Sequence, residues 1–68
     1  MKKQFEYQVN QVGSICYLNL YYRNDTGTHH TIYSIPESEL EIRETEIKND
    51  FINNGYELLG AHYELCDI

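Results

Sequence analysis

Alternation of apolar and polar residues along the first half of the chain constrains the fold most. Phe5, Tyr7 and Val9 alternate with polar residues, the two-residue period of a strand with one buried face. Gly13 can take the positive φ angle that a tight hairpin needs, and the segment 24–27 (NDTG) is typical of a second turn. The predicted structure is a three-stranded antiparallel meander over residues 3–35, with its second strand over residues 14–23 and its third over residues 28–35.

A helix is predicted after Pro36, whose ring favours an extended conformation at the preceding residue. Ser38 and Glu41 have the spacing of a capping box. Gly55 marks the end of the helix, because glycine takes the left-handed conformation without strain. One helical stripe of apolar residues is formed by Leu40, Ile47 and Phe51.

A shorter helix is the alternative interpretation of this segment. Residues 39–43 also alternate with a period of two, and Thr45 can cap a helix that runs to Asn54. We favour the longer helix and leave the state of residues 38–44 open.

The last segment of the chain, residues 56–66, is predicted to be a strand. Its Leu59, Ala61, Tyr63 and Leu65 are expected to share one face, and Tyr63 is expected to point into the core. The predicted fold is therefore a single α+β domain over residues 1–68, an antiparallel sheet with one helix on one face and the order β-β-β-α-β.

The second strand is apolar on both faces. Cys16, Leu18 and Leu20 are on one face, whereas Tyr17 and Tyr21 are on the other. One helix covers one face of a sheet, so we expect Tyr17, Tyr21 and Tyr33 to be exposed rings. Exposed aromatic surface on a small domain is typical of an interaction site, and either a second copy of the chain or another partner can cover it.

Charge is concentrated in one segment. The 68 residues include 11 acidic and 5 basic side chains, a net charge of −6, which argues against binding to nucleic-acid polymers. Arg43 and Lys48 are the bases within the acidic segment, which we expect to be either a solvated helix face or a docking surface. Its acidic residues are Glu37, Glu39, Glu41, Glu44, Glu46 and Asp50.

Catalytic and metal-binding patterns are not recognisable in the sequence. His29 and His30 are neighbours on a predicted strand and should point to opposite faces, and no zinc-ligand spacing occurs. Cys16 and Cys66 are expected to be reduced core residues, although a single bridge between them stays open. We expect no enzyme activity, no cofactor, no metal and no membrane-spanning segment.

Two segments resemble a family of small bacterial and phage domains of unknown function. Residues 5–9 (FEYQV) are similar to the EYKV strand that opens this family, and residues 51–60 (FINNGYELLG) are similar to its closing LNxxGxxGWELV. Tyr56 stands where the family usually has Trp. The resemblance implies a helix that runs through a glycine into a strand, and it implies no catalytic residue.

The sequence predicts a small acidic binding protein. We expect a phage or mobile-element protein in the cytoplasm of a bacterial host, which inhibits a defence or nucleic-acid-handling protein that has a basic surface. The expected contacts are the six carboxylates above, which can mimic DNA, together with Tyr17, Tyr21 and Tyr33, and a homodimer or higher oligomer is expected. The alternatives are an oligomeric nucleotide-binding protein that uses donors such as Arg23 and His30, and a dimeric accessory domain.

Overall fold

A computed structural model describes the chain over residues 2–66, and the side chains over residues 2–64. The order β-β-β-α-β of the α+β fold is confirmed. The elements are β1 (Gln4–Val12), β2 (Ile15–Asn24), β3 (Gly27–Pro36), a 3₁₀ turn (Glu37–Glu39), α1 (Leu40–Asn53) and β4 (Glu57–Cys66).

The four strands form one sheet in the order β3-β2-β1-β4. Strands β1, β2 and β3 are antiparallel neighbours, whereas β4 pairs with β1 in parallel. The prediction of a purely antiparallel sheet is therefore wrong. After β3, α1 carries the chain back across one face of the sheet. Strand β4 therefore starts at the same end of the sheet as β1 and runs parallel to it, as helical crossovers allow.

Two short turns set the register of the meander. Val12 is opposite Ile15 across the first turn, where Gly13 has a φ of 63°. Asn24 is opposite Gly27 across the second turn, and its side-chain Oδ1 accepts a hydrogen bond from the backbone N–H of Thr26 at 2.9 Å. Both predicted turns are present, and each leaves two residues in the loop.

The start of α1 differs from the predicted capping box. The Ser38 side chain makes no cap hydrogen bond, and the backbone N–H of Leu40 instead donates to the carbonyl of Glu37. A 3₁₀ turn therefore satisfies this backbone group at the helix start. The shorter alternative is also wrong, since Thr45 lies inside the helix and its hydroxyl donates to the carbonyl of Glu41 at 2.9 Å.

The end of α1 is a Schellman motif centred on Gly55, which has a φ of 88°. The N–H of Tyr56 donates to the carbonyl of Phe51 at 2.9 Å, and the N–H of Gly55 donates to that of Ile52 at 3.0 Å. The motif places the Tyr56 ring against the Phe51 ring, with centroids 5.0 Å apart. The predicted helix end at Gly55 is confirmed.

The core lies between the sheet and α1. The predicted helical stripe of Leu40, Ile47 and Phe51 packs against it. The buried core residues are Phe5, Tyr7, Val9, Cys16, Leu18, Leu20 and Ile35.

A register shift in β4 changes which of its side chains reach the core. The pairing with β1 passes from Leu58 opposite Phe5 to Gly60 opposite Glu6, so Leu59 is an extra residue. Leu58 and Ala61 pack against the core, whereas Leu59 is 54% exposed. The prediction that Leu59 shares the buried face with Ala61 is therefore wrong. Leu65 and Cys66 belong to β4, but their side chains lie outside the described residues.

Candidate functional site

The acidic segment predicted as a docking surface forms the 3₁₀ turn and α1. Among the side chains that the structure describes, the ion pair is Lys2–Glu57 at 3.5 Å. No carboxylate of the acidic segment therefore has a cationic side chain within 4 Å in that part of the chain. Five of the six carboxylates belong to exposed residues, which we call the acidic face: Glu37, Glu39, Glu41, Glu46 and Asp50.

The sixth carboxylate, that of Glu44, points at the sheet. Its Oε2 accepts a hydrogen bond from the Tyr7 hydroxyl at 2.5 Å and another from the Tyr63 hydroxyl. Burial, followed by the hydrogen bond to Glu44, raises the pKa of the Tyr7 hydroxyl. Burial and the same carboxylate also raise the pKa of Tyr63. Glu44 therefore ties α1 to β1 and β4, and is separate from the acidic face.

Tyr63 also differs from its predicted place. It was expected in the core, and its neighbour Val9 in the register is buried. However, β4 is an edge strand and the Tyr63 side chain is 59% exposed. Its hydroxyl reaches Glu44 from this edge.

Within residues 2–66, no helix lies over the other face of the sheet, which we call the bare face. Tyr17 and Tyr21 lie there and are 40% and 43% exposed. The Tyr21 ring stacks on His30 directly opposite, with centroids 4.3 Å apart and an angle of 7° between the rings. The exposed Ile32 extends this surface. The predicted exposure of Tyr17 and Tyr21 is confirmed, while their role in binding stays a prediction.

Tyr33 does not lie with these two tyrosines. It is opposite Leu18 in the register and is a half-buried residue packed against the core. The expectation of an exposed Tyr33 ring is therefore wrong. Its place follows from the two-residue turn at Asp25 and Thr26, which fixes the partner of every residue in β3. The predicted binding residues thus form two surfaces on opposite sides of the sheet.

A groove that the sequence did not predict lies where α1 ends. Three half-buried rings, those of Tyr22, Phe51 and Tyr56, form its apolar wall. Asp50 and Lys3 also line it, and the Lys3 ammonium lies 5.5 Å from the centre of the Tyr56 ring. We call this site the aromatic groove; its remaining lining residues are Asn24 and Asn54. The sequence signal was the Gly55 helix end, which places Tyr56 beside Phe51.

His29 and His30 stack on tyrosine rings, and Cys16 is buried in the core. His29 stacks on Tyr22 and His30 stacks on Tyr21, so the two neighbours lie on opposite faces of the sheet. Within residues 2–64, no group of three or more potential metal ligands is found. Cys16 is a buried free thiol, and burial raises its pKa. The side chain of Cys66 lies outside the described residues.

In the described part of the chain, no helix is both long and apolar enough to cross a membrane.

Comparisons with known proteins do not identify the chain. No protein-family model, no curated protein and no solved structure matches this sequence. The resemblance of residues 5–9 and 51–60 to a family of small domains therefore has no support from a family model. The candidate site rests on the geometry of the acidic face, the bare face and the aromatic groove.

Proposed function

We propose that this domain is a small binding protein whose acidic face docks on a basic surface of a partner protein and blocks it. The observation that carries the proposal is that the 3₁₀ turn and α1 present five exposed carboxylates. Among the described residues, none of the five has a cationic side chain within 4 Å. Such carboxylates remain available to a partner, and complementary charge raises the association rate and the selectivity of binding.

The density of charge indicates what kind of partner fits. The acidic face extends over residues 37–50, and its five carboxylates together with Arg43 and Lys48 of the same segment give a net charge of −3. At a helical rise of about 1.5 Å per residue it extends over roughly 20 Å, or about 7 Å per net charge. One DNA strand carries a charge every ~3.4 Å and a duplex one every ~1.7 Å. The charge spacing of the acidic face is thus closer to that of one DNA strand than to that of a duplex, which favours a partner with a basic nucleic-acid-binding groove.

Charge reversal tests the proposal. In the variant E39K/E41K/E46K, three exposed side chains change sign and the net charge rises from −6 to zero. The matched control E6K/D25K/E64K makes the same change in net charge at exposed residues outside the acidic segment. Both variants and the natural chain are immobilised and exposed to a bacterial lysate. Bound proteins are then displaced with a DNA oligonucleotide and identified.

The expected result is a nucleic-acid-binding protein that the natural chain and the control retain. The oligonucleotide should displace this protein, and E39K/E41K/E46K should not bind it. Because the interaction is between exposed charges, retention should also decrease as the salt concentration rises. Equal retention by all three chains, or loss in the control alone, would contradict the proposal.

A further inference from the structure

We infer that the aromatic groove is an arginine-binding site, which takes a guanidinium group from the partner protein. The inference rests on the proposed function, because it names the side chain that a basic partner inserts. The site is distinct from the acidic face except at Asp50, whose side chain lines the groove.

The three rings meet at steep angles and leave part of their surface open. Tyr56 is at 73° to Phe51 and at 84° to Tyr22, with centroids 5.0 and 6.0 Å apart. All three side chains are half-buried, so each has an accessible part. The faces of aromatic rings attract cations, and arginine more often than lysine occupies such positions.

A cation already lies at this site. The Lys3 ammonium is over the Tyr56 ring, 5.5 Å from its centre. This distance is within the ~6 Å range of a cation–π interaction. Lys3 is an exposed residue just before β1, so its side chain can leave the ring without disturbing the core. The groove therefore accepts a positive group and can exchange it for another.

The Asp50 carboxylate and the C-terminal end of α1 bring negative charge to the groove. The Asp50 carboxylate lines the groove, and no cationic side chain lies within 4 Å of it among the described residues. The last turn of α1 contains no basic residue, so no side chain of that turn offsets the partial negative charge of the helix end. Asn54 uses its side-chain N–H group on the carbonyl of Asp50 at 2.7 Å, and its Oδ1 remains as an acceptor on the same rim.

Arginine fits this set of groups better than lysine does. A guanidinium is planar, stacks on aromatic rings and presents five N–H donors to a carboxylate and an amide oxygen at once. The groove has a volume of about 380 Å³, near the lower end of the ~300–1,000 Å³ typical of ligand pockets. That size suits one long side chain.

The experiment titrates the full chain with N-acetylarginine amide and follows the backbone amide signals by NMR. N-acetylnorleucine amide, which lacks the guanidinium group, is the matched probe. We expect the arginine probe to shift the signals of Asn24, Asn54 and Tyr56, and the norleucine probe to leave them unchanged. Equal shifts with both probes, or arginine shifts confined to other residues, would overturn the inference.

Two variants test the roles of Lys3 and Asp50. K3Q removes the competing cation and should tighten arginine binding about two- to fivefold, the equivalent of one exposed cation–π contact. The control K2Q removes the neighbouring lysine, which pairs with Glu57, and should leave the affinity unchanged. D50N should weaken binding about two- to fivefold, as expected for an exposed ion pair. Identical affinities in K3Q and K2Q, or an unchanged affinity in D50N, would contradict the assignment.

These results are separable from the test of the proposed function. E39K/E41K/E46K leaves every residue of the aromatic groove intact. If this variant loses the partner while the arginine probe fails to bind, the groove assignment alone is wrong. If the probe binds while the triple variant retains the partner, the proposal for the acidic face is wrong.

Discussion

The two faces of the sheet are built from the same strands and have opposite surroundings. On β3, Ile35 is 2% exposed beneath α1, while Ile32 on the bare face is 56% exposed. On β2, Leu18 is fully buried, while its neighbour Tyr17 is 40% exposed. The difference shows what a chain of 68 residues can cover. One helix of 14 residues closes one face, and no element in the described part of the chain covers the second apolar face of β2.

Charge divides between the two sides as well. The helix side contains the segment 37–50, with a net charge of −4. The register places Glu6, Glu57, Glu64 and Arg23 on the bare face, for a net charge of −2. A second acidic copy would be repelled more by the helix side than by the bare face. The bare face is therefore the better surface for the proposed self-association, which leaves the acidic face open to a partner.

Two isoleucines of one strand test this comparison directly. Ile35→Ala should lower the free energy of unfolding by about 2–5 kcal/mol, because it leaves a cavity in the core. Ile32→Ala removes the same atoms from the exposed side and should cost less than about 1 kcal/mol. Urea denaturation of both variants, at a protein concentration low enough to keep the chain monomeric, measures the difference.

The same pair shows whether the bare face is covered in solution. If a second copy packs on it, the cost of Ile32→Ala should increase with protein concentration, because association stabilises the folded state. A cost for Ile32→Ala that equals that of Ile35→Ala at every concentration would contradict the assignment of one buried and one open face.

The Tyr7–Glu44–Tyr63 cluster gives the helix side a pH dependence. An unfolded Tyr7 loses its proton near pH 10, whereas the folded protein holds that proton because the pKa is raised. The contribution to stability is thus complete below pH 10 and decreases as the pH rises above it, by up to about 1.4 kcal/mol per pH unit. Tyr7→Phe should make this decrease shallower and leave the share of Tyr63, whose pKa is also raised. It should cost about 1.5–3 kcal/mol at neutral pH, through loss of a hydrogen bond to a charged group.

Tyr17→Phe is the matched control on the bare face. No hydrogen bond of the Tyr17 hydroxyl is found within the described residues, so this variant should keep both the neutral stability and the alkaline decrease. Urea denaturation at neutral pH and at several values above pH 10 provides the measurement. An alkaline decrease that is as steep in Tyr7→Phe as in the natural chain would show that Glu44 does not hold the tyrosine proton.

The local parts of the fold were predictable from the sequence. The strands of the meander, the turn at Gly13 and the helix end at Gly55 each depend on a few neighbouring residues. The parallel pairing of β4 depends on the route of the whole chain. It could have been inferred from the helix between β3 and β4, since helical crossovers join parallel strands. The extra residue at Leu59 has no local signal, because the pairing partner lies more than fifty residues away.

The candidate site was predictable only where it follows the register. Tyr33 is opposite Leu18 once the turn at Asp25 and Thr26 is fixed, so its side of the sheet could have been deduced. Glu44 lies in the apolar stripe, four residues after Leu40 and three before Ile47. A carboxylate there requires hydrogen-bond donors, but which tyrosines donate depends on the packing of α1. The aromatic groove combines Tyr22 and Tyr56, distant residues that only the folded sheet brings together.

Two glycines provide the smallest test of the difference between the sides. Gly55 has a φ of 88° and holds the helix end that forms the aromatic groove. Gly55→Ala should cost about 1–2 kcal/mol, because a Cβ atom is unfavourable in the left-handed conformation. Gly60 in β4 is not in that conformation, and a Cβ atom there would meet His62 Nε2 at an ordinary distance of 3.5 Å. Gly60→Ala should therefore change stability by less than about 0.5 kcal/mol. Thermal unfolding of both variants gives the comparison. An equal loss in the two would mean that the helix end does not depend on the glycine, and that the groove is held by ring packing alone.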